Sequence, residues 1–231
     1  MIIGFAGRKQ VGKNTAAKMW QYLSSYDVPE CIDDNVIDDF KLYCKDNPQN
    51  TWKLKAYAGA IKEIISKMTG CSLIDLDDGD FKNTYVSKDS KTTYRQLLQI
   101  IGTDIGRNLI DPNVWVNILM KEYDNDTQEI GPREAYEYLF GSTFIWEYTP
   151  KWIVTDVRFP NEIEAIKDRR GIVIKVLRDI DSDDHESEEA LNNYHDYDYV
   201  IRNFGCLKDL MVSVSKILKR EKIIRSHCRV A

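Results

Sequence analysis

The sequence predicts an α/β domain built on a parallel sheet of about five strands. Short apolar runs alternate with stretches of helical periodicity, and the rhythm recurs to the end of the chain. The first apolar run, moreover, feeds a basic loop flanked by glycines that opens a helix. Strands alternating with helices pair in parallel through right-handed crossovers and gather ligands at their carboxyl ends.

Ile2 to Ala6 is a short apolar run with the character of a buried strand, followed by a turn at Gly7 and a helical pattern from Lys13 through Leu23. Residues 27 to 50 carry Pro29, Pro48 and many Asp and Asn without clear periodicity, and read as a connection. Trp52 to Ala58 reads as the second strand and Ala60 to Met68 as a helix, with Gly70 as its stop. From Thr92 to Leu109, Leu97, Leu98, Ile101, Ile105 and Leu109 recur at helical spacing, with Arg95, Gln99, Gly102 and Gly106 on another face. A further helix runs from Asn113 to Tyr123, and residues 124 to 150 read as an insertion with one short helix near 133 to 140. Trp152 to Thr155 is the third strand, Asn161 to Arg169 a helix behind Pro160, and Ile172 to Leu177 the fourth strand. Tyr199 to Ile201 and a helix from Leu207 to Lys222 close the pattern.

At 231 residues and 43% hydrophobic content, the chain suits one compact domain with insertions. A net charge of -5 argues against polymeric nucleic acid as partner, because gripping it needs clustered basic surface. Single nucleotides need only a few placed cations. Cys31, Cys44, Cys71, Cys206 and Cys228 are scattered and form no Cys-x-x-Cys pair, which fits free thiols in a reducing cytoplasm. The three histidines offer no zinc spacing. No run approaches the ~18 apolar residues of a membrane span, and the N-terminus lacks the pattern of a signal peptide; the expected location is the cytoplasm.

The chemistry begins at Gly7-Arg8-Lys9-Gln10-Val11-Gly12-Lys13, which matches G-x-x-x-x-G-K between a strand and a helix. Glycines let backbone N–H groups wrap a phosphate, while the helix N-terminus and the Lys13 ammonium supply positive potential. Lys13 would bridge the β-phosphate and the transferred one. Asn14 stands where this motif usually has Ser or Thr for magnesium, and the hydroxyl comes one place later, at Thr15. Asn14 is thus left to hold the metal through its oxygen or a water, with Thr15 directed to the α-phosphate. The competing reading is a glycine turn that only packs a helix on a sheet.

This loop and four later stretches resemble the deoxynucleoside monophosphate kinases of large tailed bacteriophages, within the nucleoside monophosphate kinase superfamily. The resemblance implies a three-layer P-loop kinase fold over residues 1–231, with a helical acceptor-binding region at about 59–123, the insertion at 124–150 and a short lid at about 179–195. Gly12-Lys13-Asn14-Thr15 stands where the family often has Gly-Lys-Asp-Thr. Ala56-Tyr57-Ala58-Gly59-Ala60-Ile61-Lys62 resembles a strand-to-helix junction lining the acceptor pocket; Lys62 reaches the acceptor phosphate or is an exposed first-turn lysine. Arg95-Gln96-Leu97-Leu98-Gln99-Ile100-Ile101-Gly102-Thr103-Asp104 resembles the family's Arg-x-Leu-x-Gln-x-x-Gly-Thr-Asp helix. One helical turn apart, Arg95 and Gln99 can hold a phosphate and a base edge, and Gly102 lets a planar base approach. Thr103 and Asp104 belong to the same acceptor site, although Asp104 could instead pair with Arg107. Trp115 matches a family tryptophan and suits core packing.

Val154-Thr155-Asp156-Val157-Arg158 resembles a strand end at which Asp156 holds magnesium or its water and Arg158 clamps the acceptor phosphate. Asn161 and Glu162 suffice as helix-start residues. His185-Glu186-Ser187-Glu188 is similar to a lid element, preceded by Arg178 as a cation for the transferred phosphoryl. Asp198 to Gly205 resembles the strand and turn that cradle the donor adenine, giving Asn203 and Gly205; the competing reading is a turn that only ends a strand. The resemblance implies ATP and Mg2+ with a deoxynucleoside monophosphate acceptor, allows a homodimer, and places a phage-encoded chain in the host cytoplasm. A kinase of another small metabolite, or a nucleotide-binding regulator without transfer, remain alternatives.

Overall fold

The computed structural model describes residues 1–26, 31–130, 146–178, 190–191 and 193–223. In chain order the elements are β1 (Ile2–Ala6), α1 (Lys13–Ser25), α2 (Asp34–Asp46), β2 (Trp52–Lys55), α3 (Gly59–Thr69), α4 (Tyr94–Gln99), a π-helical segment (Ile100–Ile110) and α5 (Val114–Asp126). They continue with β3 (Gln128–Ile130), β4 (Trp146–Tyr148), β5 (Lys151–Val157), α6 (Pro160–Asp168), β6 (Ile172–Leu177), β7 (Tyr199–Arg202) and α7 (Leu207–Arg220). The backbone divides into two compact units, Met1–Lys55 with Lys151–Ala231, and Ala56–Pro150.

The first unit is the α/β domain. Its five strands are all parallel, in the order β2-β5-β1-β6-β7. All five residues of β1 are buried, as its uninterrupted apolar sequence requires of a central parallel strand. One face of the sheet meets α1 and α7 over a core of Ile3, Phe5, Trp20, Ile153, Ile174 and Met211. Trp20 sits edge-on to both Phe5 and Trp52, with centroids 6.3 and 5.7 Å away, and such pairs add to the gain from burial alone. On the other face α6 meets β1 and β6.

Three boundaries differ from the sequence reading. The stretch expected as a connection contains α2, whose Val36, Ile37, Phe40 and Tyr43 enter the same core. Asp33 starts this helix by accepting from Val36 N at 3.0 Å, and Asn47 ends it in the left-handed conformation at φ 42°. β2 stops at Lys55, because the Gly59 amide donates back to Ala56 O at 3.0 Å and turns the chain into α3. β5 runs on to Val157, two residues past its expected end.

The second unit has its own core of Ile61, Ile65, Leu76, Tyr94, Ile101 and Trp115. Thr93 caps α4 by accepting from Gln96 N at 3.2 Å, and Gln96 returns the bond by accepting from Thr93 N at 2.9 Å. The single helix expected from Thr92 to Leu109 changes its winding at Ile100. Bonds such as Asp111 N to Gly106 O, at 3.0 Å, reach five residues back, and this wider turn is the π form. Buried positions are therefore Ile101, Gly102 and Gly106, while Ile105 and Leu109 are 41% and 78% exposed. The predicted apolar stripe fails there because α-helical spacing does not persist. Within the insertion, β3 and β4 pair antiparallel; the helix expected at 133–140 and most of the 179–195 lid region lie outside the described residues.

Candidate functional site

The phosphate loop leaves the carboxyl end of β1 and re-enters helix at Lys13. Gly7 and Gly12 sit at φ 140° and 102°, where side chains are strained, and a Cβ on Gly7 would lie 2.5 Å from Val176 O. Gln10 shares the left-handed region at φ 64°. Gly12 is the N-cap of α1 and supplies no side-chain cap, and the first turn carries no acidic residue. The first-turn N–H groups and the positive dipole there suit an anion. Lys13, 7% exposed, folds back over the loop and donates to Gly7 O and Arg8 O, each at 2.6 Å. A phosphate would draw the ammonium from these carbonyls into stronger charge-assisted bonds.

The neighbouring strand ends bring other sequence-predicted residues to this edge. In the β1–β5 pairing Gly4 faces Val154 but Ala6 faces Val157, so Thr155 and Asp156 together stand opposite Phe5. This is a β-bulge, a device that re-aims a side chain. Val157 takes the place beside Ala6 and packs toward Gly4 with Ile166, removing half-buried Asp156 from the alternation. Strands in such a pair run about 4.8 Å apart, so Asp156 and Arg158 begin beside the loop's first residues. Glu162, 2% exposed, accepts from Arg158 N at 2.7 Å and from Phe159 N at 3.1 Å. Its carboxylate both starts α6 and fixes the backbone that carries Arg158. Arg178, exposed, follows the last residue of β6.

Asn14 is exposed and Thr15 half-buried in the first turn of α1. Asn14 and Asp156 offer an amide oxygen and a carboxylate, the hard donors that suit Mg2+, which draws its other ligands from water and substrate phosphates. Among the described residues no group of three or more His, Cys, Asp or Glu forms a self-sufficient metal cage.

Asn203 and Gly205 were expected at the adenine, but the structure gives both other partners. The Asn203 amide donates to Val11 O at 2.9 Å beneath the loop. Gly205 makes room for the Asp209 carboxylate, which accepts from Cys206 N at 2.8 Å at the start of α7. Lys175, which the sequence reading passed over, is signalled by being the one lysine in an otherwise apolar strand. It pairs in register with Ala6, and its ammonium lies 4.7 Å over the Tyr197 ring. Burial, and then the nearby Arg8 charge, hold it below the usual lysine range, while burial and then Tyr194 push Tyr197 up to about 12.

In the second unit, the cations assigned to the acceptor converge on a segment that the sequence reading left unassigned. Lys62 forms an ion pair with Asp77. Arg95 donates from Nε to Asn83 Oδ1 at 2.9 Å and from Nη2 to Gly79 O at 3.3 Å. The segment is itself ordered by Asp78, whose carboxylate accepts from Asp80 N and Phe81 N at 2.9 and 2.7 Å. Gln99 and Asp104 are exposed and Thr103 half-buried. Gly106 admits the protein's own indole: a Cβ there would lie 2.5 Å from the Trp115 ring, whose Nε1 donates to Gly102 O at 2.7 Å, while a Cβ on Gly102 would meet Ile61 at 3.1 Å. That gives Trp115 its expected packing role and ties the Gly102 carbonyl to the indole. No helix among the described residues is long and apolar enough to cross a membrane.

Residues 49–214 match the family model for deoxynucleotide monophosphate kinase; the phosphate loop precedes the matched stretch. The deoxynucleotide monophosphate kinase of Escherichia phage RB69 is 32% identical over 126 residues, 54% of this chain and 44% of the relative. The deoxynucleoside-5'-monophosphate kinase of Escherichia phage T5 is 23% identical over 129 residues, 52% of this chain and 43% of the relative. The chain thus spans less than half the length of these phage relatives. A protein of Acanthamoeba polyphaga mimivirus is 27% identical over 214 residues, 88% of each chain.

Proposed function

The chain belongs to the deoxynucleotide monophosphate kinase family, and from that premise we propose that it transfers the γ-phosphoryl group of ATP to a deoxynucleoside monophosphate, giving the diphosphate and ADP. The observation that carries the reading is the phosphate loop in its strand-to-helix setting, with Asp156, Arg158 and Arg178 at adjacent strand ends. The first unit is read as carrying the donor site together with Arg158, and the second as carrying the remaining acceptor-binding residues.

ATP lays its β- and γ-phosphates along residues 7 to 13, where the first-turn N–H groups of α1 and Lys13 receive them. Asn14 and Asp156 would hold Mg2+, which when bound neutralises charge on the phosphates. Arg158 receives the acceptor phosphate bidentately, and Arg178 supports the equatorial oxygens of the group in flight. Lys62, Arg95, Gln99, Thr103 and Asp104 bind the acceptor; Lys62 and Arg95 exchange Asp77, Gly79 and Asn83 for it. Phosphoryl transfer of this kind is positioning and charge stabilisation, so no covalent enzyme intermediate is required. The net charge of -5 supports free nucleotides rather than polymer as substrates.

The test is to offer the four deoxynucleoside monophosphates and a set of other phosphorylated metabolites separately, with ATP and magnesium, and to measure acceptor-dependent ADP release. Release with at least one deoxynucleotide, lost in Lys13→Ala, supports the reading. Release only with the other metabolites would replace it with the broader kinase.

A further inference from the structure

Asn203 lies 192 residues from Val11 of the loop in sequence and is 7% exposed, one of few polar side chains buried to that degree among the described residues. It follows β7, and its backbone N–H donates to Leu177 O at 2.7 Å, which ties it to the end of β6. From that anchor its side-chain Nδ2 donates to Val11 O at 2.9 Å. The same nitrogen occupies the space where a Cβ on Gly12 would stand, 2.6 Å from the built position. Gly12, the left-handed N-cap of α1, is thus pressed from below by an amide that also holds the preceding carbonyl.

From this geometry we infer that Asn203 is a positioning residue for the phosphate loop: its amide fixes the Val11–Gly12 peptide so that the first-turn N–H groups of α1 and Lys13 face the donor's phosphates. The chemical reason is specific. A carbonyl held by a buried donor cannot rotate, and at residues 11 and 12 rotation would swing the following N–H groups out of line. A buried amide, unlike a packed apolar side chain, sets the direction of that carbonyl and not merely its distance. The same arrangement accounts for Gly12, since any side chain there would displace the strut. Asn203 acts from beneath the loop on the triphosphate, whichever base the donor carries.

The inference rests on the donor-site reading above, and the experiment separates the two. Binding of ATP and of inorganic tripolyphosphate, both with magnesium, is measured by calorimetry for the natural chain, Asn203→Asp and Asn203→Ala. Asn203→Asp keeps size and shape but turns an acceptor toward the Val11 carbonyl, and Asn203→Ala removes the strut. The expected result is that each variant loses ATP and tripolyphosphate affinity by the same factor, at least about fivefold, as for a buried acceptor left unpaired. Acceptor KM should stay unchanged, and circular dichroism should confirm the fold of whichever variant is scored. A loss for ATP but not tripolyphosphate would overturn the inference in favour of an adenine contact. A lowered Tm with unchanged affinity for both would overturn it in favour of packing alone. Failure of the natural chain to bind either compound would instead remove the donor-site reading itself.

Discussion

Gly106→Ala tests the packing that sets the acceptor-side helix. The new Cβ would lie 2.5 to 2.7 Å from three atoms of the Trp115 indole, against ~3.5–4.0 Å for a comfortable contact. The ring must therefore move by about 1 Å, at an overpacking cost of roughly 1–3 kcal/mol. That movement also breaks the 2.7 Å bond from Trp115 Nε1 to Gly102 O, worth about 1 kcal/mol. Replacing a helical glycine by alanine returns roughly 0.5–1 kcal/mol, so the clash wins and the net loss is about 2 kcal/mol. With a urea slope of about 3 kcal/mol per molar, the unfolding midpoint falls by ~0.7 M. Trp115→Phe removes the same bond, and in the double variant the smaller ring tolerates the methyl group, so the two costs do not add. Because Thr103 and Asp104 ride on this segment, acceptor KM rises in Gly106→Ala while ATP KM does not. A midpoint that stays or increases, or two effects that simply sum, would refute the argument.

Asp77→Asn releases Lys62 from its ion pair; the pair is partly exposed and therefore modest, so acceptor KM should fall by up to about fivefold in steady-state kinetics, and an increase would show that Asp77 itself binds the acceptor. Phe40→Ala opens a hole in the α2 face of the core and should cost about 3 kcal/mol in denaturant unfolding; a loss under about 1 kcal/mol would mean that α2 is dispensable. At the start of that helix the Val36 N–H holds the Asp33 carboxyl below its usual range. Its stabilisation is complete above the unfolded value near ~3.9 and disappears as pH falls through the lower folded value, so Asp33→Ala should flatten the acid limb of the Tm profile in that window.

The strand-loop-helix opening was legible because three independent signals coincide there: the apolar run Ile2–Ala6, the glycine spacing and Lys13. The inner strands β1, β5 and β6 were legible because a buried parallel strand is a short, mostly apolar run, and the edge strands β2 and β7, only partly buried, from their place in the alternation with helices. α2 was not legible, although Val36, Ile37, Phe40 and Tyr43 recur at helical spacing, because the flanking prolines and the Asp and Asn of its polar face give the stretch the composition of a connection. The change of winding at Ile100 was illegible for a different reason. α and π turns use the same residues, and the contacts that accompany the wider turn, the Trp115 indole against Gly106 and its bond to Gly102 O, come from the following helix and not from the local pattern. Asn203 illustrates the third kind of failure: local sequence shows an asparagine in a turn, but its partner lies at the other end of the chain. The clasp on Lys62 and Arg95 is similar, since the tertiary fold alone brings residues 77 to 83 to those cations.

Transfer itself is tested most directly by following the label from γ-labelled ATP in the presence of magnesium and each deoxynucleoside monophosphate. The account predicts that the label appears as the β-phosphate of at least one deoxynucleoside diphosphate, in step with ADP, and that Lys13→Ala abolishes this. Label recovered only as inorganic phosphate, or retained in ATP with every acceptor, would contradict it.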